Sequence, residues 1–430
     1  MIRSFRRTRP ATRAGVLSLA LAANLALAAP PVSAAVPQPP PAAVPQPPPA
    51  AVPQPPPDVE RWSPDLSVVD GDDVNVRYTP RGLGLDDPRP PTHPGAHRSP
   101  LAEGLQLTVP HTLVRPALRV RAELAARVPS GGTVDVEIRG WRAGGGWTEW
   151  RDADPAVDLG TPVTRVQVRV LLTARTPAAA PTVNAVRLSA DPVTARATVT
   201  TLGPVYRIYA TREGLVGGRT ANGHRIRARD HFVSLPSHRS LAPLGTGDYT
   251  VRVCTTNGSR CEYAPVWDVG PWNTRDDYWN PARIRQMWKD LPRGRPEAQA
   301  AYQYGYHGGR DQFGRRVLNP SGIDLADGTF RDALRLTGNT WINVAYLWLG
   351  SGPRGVVGAE TVRIYGRAGT GATITGVAAR SAHVPIQCWV TGQTVNGPYG
   401  RTSRWDRLAT RQYLSHAYVS AGYGGAAPRC

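Results

Sequence analysis

The residues best placed for covalent chemistry are four cysteines, Cys254, Cys261, Cys388 and Cys430. A small even number suits disulfides in an oxidising compartment. Three pairings are open in principle, and local geometry prefers one. The run CTTNGSRC centres on Asn257-Gly258, a strong signal for a two-residue hairpin turn. Such a turn sets Thr255 opposite Arg260 and Cys254 opposite Cys261, within bridging reach. Cys388 is then left with Cys430, which would pin the C-terminus to its own domain. Metal binding is poorly served, because no C-x-x-C or clustered-histidine spacing is present. His231, His307, His383 and His416 are scattered and take no role. With no nucleophile elbow and no phosphate loop, serine-hydrolase and nucleotide-enzyme readings are poor, and no cofactor is expected.

The second chemistry-bearing set is aromatic. Trp272, Tyr278, Trp279, Trp288, Tyr302, Tyr304 and Tyr306 lie in one stretch with Asn273, Asp276 and Asp277. Flat rings beside polar groups suit sugars, whose C–H faces pack on aromatic rings while the hydroxyls bond to polar edges. Trp272, Asn273, Tyr278 and Trp279 are the candidate substrate contacts. The same stretch would serve equally as a small helical cap packed on a barrel. Trp141, Trp147 and Trp150 flank Gly144-Gly145-Gly146 in a similar way. They would either stack a sugar or fill a core, and the core is the plainer use.

These residues must be carried by something exported. Residues 1–13 hold five arginines and no acid, an apolar stretch covers residues 14–29, and Val32-Ser33-Ala34 follows. That is the order of a secretory signal peptide, with cleavage expected near Ala34. The stretch is short and is interrupted by Asn24, so a spanning helix is not expected. The chain has a net charge of +19, and loss of residues 1–34 leaves +14. Such a charge favours anionic surroundings. Export argues for wall polymers or acidic glycans over nucleic acid, and no membrane contact is expected after cleavage.

The elements follow from periodicity. Residues 34–57 are three copies of AAVPQPPP, a polyproline II spacer or tail without a core. Residues 58–100, rich in Pro, Asp and Gly, read as a continuing linker. In residues 101–193, Val134, Val136 and Ile138 alternate with Asp135, Glu137 and Arg139, and Val166, Val168 and Val170 alternate with Gln167 and Arg169. Period two predicts half-buried antiparallel strands. In residues 196–350, strands are predicted at 205–210, 231–235, 249–254, 262–268 and 341–348. Helices are predicted from Pro281 to Leu291 with Asn280 as N-cap, at 297–304 and at 329–336. Strands at 361–365, 373–377, 384–389 and 412–419 predict a small barrel at 355–430.

Five pieces of the middle domain resemble a known family. They are GGRTANGHRI (217–226), HRSLAPLGT (238–246), YTVRV (249–253), DVGPWN (268–273) and GIDLADGTF (322–330). In that order they resemble the double-psi β-barrel of rare lipoprotein A, which expansins and related endoglucanases share. The pieces IQCWVTGQTVNGPYGRTSRWDRL (386–408) and QYLSHAYV (412–419) resemble a bacterial SH3-like module of secreted actinobacterial proteins, of a kind that binds wall peptides or glycans. GGWTEWRDA is similar to β-sandwich modules of such proteins. The resemblance implies a mainly β chain: signal peptide 1–34, Pro-rich repeat and linker 35–100, sandwich-like module 101–193, double-psi barrel with helical insertion 196–350, and SH3-like barrel 355–430.

The same resemblance supplies a chemistry. Some relatives cleave peptidoglycan as lytic transglycosylases and others hydrolyse β-glucans, and both reactions need a carboxylic acid to protonate the leaving oxygen. Asp268 and Asp324 fall on the family's Asp-x-Gly-Pro and Ile-Asp-Leu motifs, and His238 falls on a site histidine once Ala242 is allowed as an extra residue. The structural alternatives are a turn cap or arginine partner for Asp268 and a backbone partner for Asp324. A stretch of 55 residues between the two aspartates departs from the simple pattern. The expected function is polysaccharide binding at the cell wall. The alternative is a lytic transglycosylase or glycoside hydrolase using Asp268.

Overall fold

The computed structural model describes residues 59–92, 99–153, 155–192 and 203–430. The expected leader and the AAVPQPPP repeats lie outside the described residues. The described chain is mainly β, and no helix in it is long and apolar enough to cross a membrane.

The first module is one antiparallel sheet. Its strands are β1 (Glu60–Trp62), β2 (Val76–Thr79), β3 (Gly82–Leu85), β4 (Ala102–Leu107), β5 (His111–Arg127), β6 (Gly132–Arg142), β7 (Arg151–Asp152), β8 (Val157–Ala174) and β9 (Thr182–Pro192). The long β8 has β6 on one edge, and β4 followed by β5 on the other. β5 runs on to pair with β9, which also holds β1 and β3. The predicted alternation appears as one core containing Val136, Ile138, Val166, Val168 and Val170.

Two expectations change here. β1, β2 and β3 occupy the stretch read as a linker. Val76, Leu83 and Leu85 are buried there, but strands of three or four residues are too short to show a period. The polar faces of β6 and β8 are also not solvated. Glu137, Arg139, Gln167 and Arg169 are buried, because this face packs on the next domain. Arg139 donates to Gln167 and to Asp248 of that domain. Arg169 pairs with Glu137 and donates to the His238 carbonyl.

Six strands close the middle domain into a barrel: β10 (Val205–Arg212), β11 (Val233–Leu235), β12 (Thr250–Thr255), β13 (Cys261–Val269), β14 (Ser321–Leu325) and β15 (Thr340–Tyr346). The order is β11-β14-β10-β15-β12-β13, and β13 closes back onto β11. The pairs β10–β14 and β11–β13 are parallel. Cys254 faces Cys261 in the β12–β13 register and is bonded to it, and Cys388 is bonded to Cys430. Between β13 and β14 the helix α1 (Glu297–Tyr304) forms as predicted and ends on Gly305, whose φ of 66° suits a residue without a Cβ. Residues 281–291 make turns and no helix. The Asn280 side chain is drawn inward instead, its amide donating to Glu149 and Asp277. The third predicted helix is a single π-turn at Gly328–Ala333.

The last strands are β16 (Arg354–Val357), β17 (Thr361–Tyr365), β18 (Ile374–Ala379), β19 (His383–Pro385), β20 (Cys388–Gly397), β21 (Gly400–Ala409), β22 (Gln412–Ser415) and β23 (Val419–Ala421). β18 pairs in parallel with β13, so one sheet continues from the barrel into this region. β19, β16 and β23 form a separate small sheet. The cores are shared as well. Trp150 of the first module sits in the barrel core, and Tyr263, Ala345 and Leu347 of the barrel sit in the C-terminal core.

Candidate functional site

The cleft that gathers two of the three predicted catalytic residues is a seam between the first sheet and the barrel. One wall is barrel. β13 ends at Asp268 and Val269, a turn brings Arg219, Thr220 and Ala221, and a short 3-10 turn carries His238. The other wall is Glu103, Gly104 and Leu105 of β4 with Leu171 of β8. This lobe measures about 210 Å³. A second lobe of about 230 Å³ shares Glu103, Gly104, Leu171 and His238 with it. Its lining adds Asp135, Glu137 and Arg175 from the first sheet, and Arg275, Gln312 and Phe313 from the stretch between β13 and β14.

Asp268 is 4% exposed. Its Oδ1 accepts the backbone N–H groups of Ala221 at 2.7 Å and Val269 at 2.8 Å. Two donors on one oxygen hold the carboxylate at the cleft wall.

His238 is mostly buried, with 14% of its side chain exposed. Burial pushes its pKa down to about 4; Glu103 opposes that shift, and Arg169 and Arg275 add to it. The ring is therefore neutral at pH 7. Its Nδ1 lies 3.2 Å from the Thr274 carbonyl, which can only accept. Nδ1 carries the proton, and Nε2, 3.9 Å from a Glu103 oxygen, is left as an acceptor. Asp135 pairs with Arg275, yet burial still raises its pKa.

Asp324 does not line this cleft. It is completely buried in β14 and accepts a hydrogen bond from the Thr211 hydroxyl. Ser234 of β11 is the register partner of Asp268 on one side and of Asp324 on the other. The two aspartates thus stand two strand spacings apart, roughly 10 Å, across an intervening strand. Asp268 lines the seam cleft, whereas the inaccessible Asp324 is in the lining of neither lobe.

The four residues expected as sugar contacts are buried. Trp272 is buried against Ala298, Ala301 and Val317. Asn273 donates to Glu297 and accepts from the Gln312 N–H. Tyr278 and Trp279 are inaccessible and belong to the barrel core. Their polar ends are bound inside, Tyr278 to the Gly322 carbonyl and Trp279 to Glu149. No ring face is left for a ligand. Trp147 and Trp150 are likewise buried, and Arg139 lies over both rings.

Sequence reasoning missed Glu103 and the whole β4 wall, because none of the site residues was sought in the first module. The available signal was GGWTEW. Two tryptophans and a glutamate beside a glycine turn are more than a solvated loop needs, and this segment plugs the barrel. The buried Glu149 carboxylate accepts from the indoles of Trp279 and Trp348 and from the Asn280 amide.

Among the described residues, Asp70, Asp72 and Asp73 have metal-ligand spacing. Their oxygens accept backbone N–H groups of the same loop and of Leu107, which is a turn-building use.

Residues 204–345 match the family model of a domain of unknown function (DUF8814). The match spans the six barrel strands and the stretch between β13 and β14. No curated protein matches the chain. No solved structure matches it either.

Proposed function

We propose that this chain is an exported wall protein that binds polysaccharide in the seam cleft. The observation that carries the reading is the two-lobed groove. Its lobes of about 210 and 230 Å³ share Glu103 and His238 in their linings. Together they fall within the roughly 300–1,000 Å³ usual for ligand clefts. The lining offers carboxylates, a neutral imidazole acceptor, amides and arginines, which are partners for sugar hydroxyls. The closed six-stranded barrel with parallel β10–β14 and β11–β13 pairs supports the likeness to rare lipoprotein A and the expansins. We read this barrel as double-psi and the C-terminal strands as SH3-like. The basic leader and the two disulfides support export.

A second reading is glycan cleavage. It is favoured by one observation: Asp268 and Glu103 stand on opposite walls of one cleft. An acid and a second carboxylate on the two sides of a glycosidic bond are what hydrolysis requires.

The test uses residues 35–430 with both disulfides formed, because Trp150 and Glu149 complete the barrel. The protein is incubated with peptidoglycan and with β-glucan, and pelleting and soluble fragments are both scored. Binding predicts pelleting without fragments, weakened roughly tenfold or more in Asp268→Asn through loss of a charge-assisted hydrogen bond. Fragments that vanish in the variant establish cleavage instead. Neither pelleting nor fragments would sink both readings.

A further inference from the structure

A separate pocket of about 270 Å³ lies in the C-terminal sheet, far along the chain from the seam residues. Arg367, Arg407 and Arg411 line it, with Val390, Thr410 and Tyr413. No carboxylate is in its lining. Residues 355–430 contain eight arginines and two acids, Glu360 and Asp406. Both acids are engaged elsewhere. Glu360 pairs with Arg380, and the buried Asp406 pairs with Arg404 and His416. Arg407 is held in place by the strands β20 and β22 on either side of β21, with Cys388 and Tyr413 as its register partners. Its Nε is buried and has no hydrogen-bond partner. Three guanidiniums that pair with no carboxylate among the described residues thus border one concave space.

We propose that this pocket binds the phosphate groups of an anionic, non-nucleic polymer, such as a polyol-phosphate or sugar-phosphate chain. Guanidinium forks match phosphate oxygens two at a time, and three of them around one space favour a multiply charged, tetrahedral group. The polymer is not nucleic acid because Tyr413 is the one aromatic ring in the lining, whereas single-strand sites interleave several rings with the basic groups. The site stands whether or not the seam cleft takes a glycan.

The test is fluorescence anisotropy with a labelled hexamer of glycerol phosphate on residues 35–430. The wild type binds, and Arg407→Gln and Arg411→Gln each weaken binding by roughly tenfold or more. Arg380→Gln, outside the pocket, and Asp268→Asn change it by less than about twofold. Arg367→Gln, at an exposed side chain that cannot unfold the sheet, must weaken binding too. Equal losses in Arg380→Gln and Arg407→Gln would overturn the pocket in favour of diffuse charge. A thymidine hexanucleotide bound as tightly, or a hexagalacturonate bound more tightly, would overturn the assignment to a phosphate polymer. Absence of hexamer binding at low salt would overturn it outright.

Discussion

At the seam, Arg139 pairs with Asp248, Arg169 with Glu137, Arg239 with Asp277 and Arg275 with Asp135. In the C-terminal pocket, Arg367, Arg407 and Arg411 have no such partner among the described residues, although the residue type is the same. Arg139, Arg169 and Arg239 are almost fully buried and would be prohibitively costly to leave unpaired, whereas the Arg275–Asp135 pair is partly exposed at the cleft. The second set borders open space, where water reaches the exposed Arg367 and Arg411, while Arg407 is half-buried with its Nε inaccessible. The buried arginines of the seam are thus each matched to a carboxylate. Unpartnered arginines around a concavity mark where something else can dock.

Breaking a seam pair is the strongest way to test this contrast. Arg169 is inaccessible, pairs with Glu137 and lies over the Trp150 ring. Arg169→Ala leaves Glu137 buried and uncompensated, and is expected to cost about 3–5 kcal/mol in urea unfolding. Replacing both partners, as in Arg169→Met with Glu137→Leu, is expected to cost far less, because no charge is then stranded. A single variant within error of wild type would mean that the seam is held by its apolar contacts alone.

The next effect is pH dependence confined to the seam. His238 has a folded pKa of about 4, below the roughly 6.5 of an unfolded histidine. The unfolded chain therefore takes up this proton first as pH falls. The contribution of the neutral ring is intact above about 6.5 and is lost between about 6.5 and 4, on the order of 3 kcal/mol in all. Chemical denaturation at a series of pH values should show that loss in wild type, and His238→Gln should remove that part of the slope. A slope unchanged in the variant would put the ring in a solvated environment and dissolve the seam as drawn.

What was legible in the sequence divides along the same line. The Cys254–Cys261 hairpin, the helix at 297–304 and the alternating valines of β6 and β8 depend on neighbours within a few residues, and all were readable. The aromatics from Trp272 to Trp279 were visible as a cluster but not in their direction. Whether a ring faces water or core depends on partners such as Glu149, which is remote in sequence. Arg169 and Glu137 sat at positions that period two assigns to solvent, because periodicity knows about one buried face and cannot report a second domain on the other. Glu103 carries no local mark at all. It becomes a site residue only when β4 is laid against the barrel.

The smallest effect is the one that sharpens the contrast most. Arg407→Gln and Arg411→Gln remove charge from a pocket lined by three arginines and no acid. No ion pair is broken, and mutual repulsion among the guanidiniums falls. Unfolding free energy should therefore change by no more than about 0.5 kcal/mol, with any change toward greater stability and largest at low ionic strength, where screening is weakest. Added inorganic phosphate should stabilise wild type through mass action on the folded state and should stabilise the variants less. If Arg407→Gln instead destabilises the fold as Arg169→Ala does, then Arg407 is holding the sheet together, and the distinction between joining arginines and docking arginines fails at the residue that defines it.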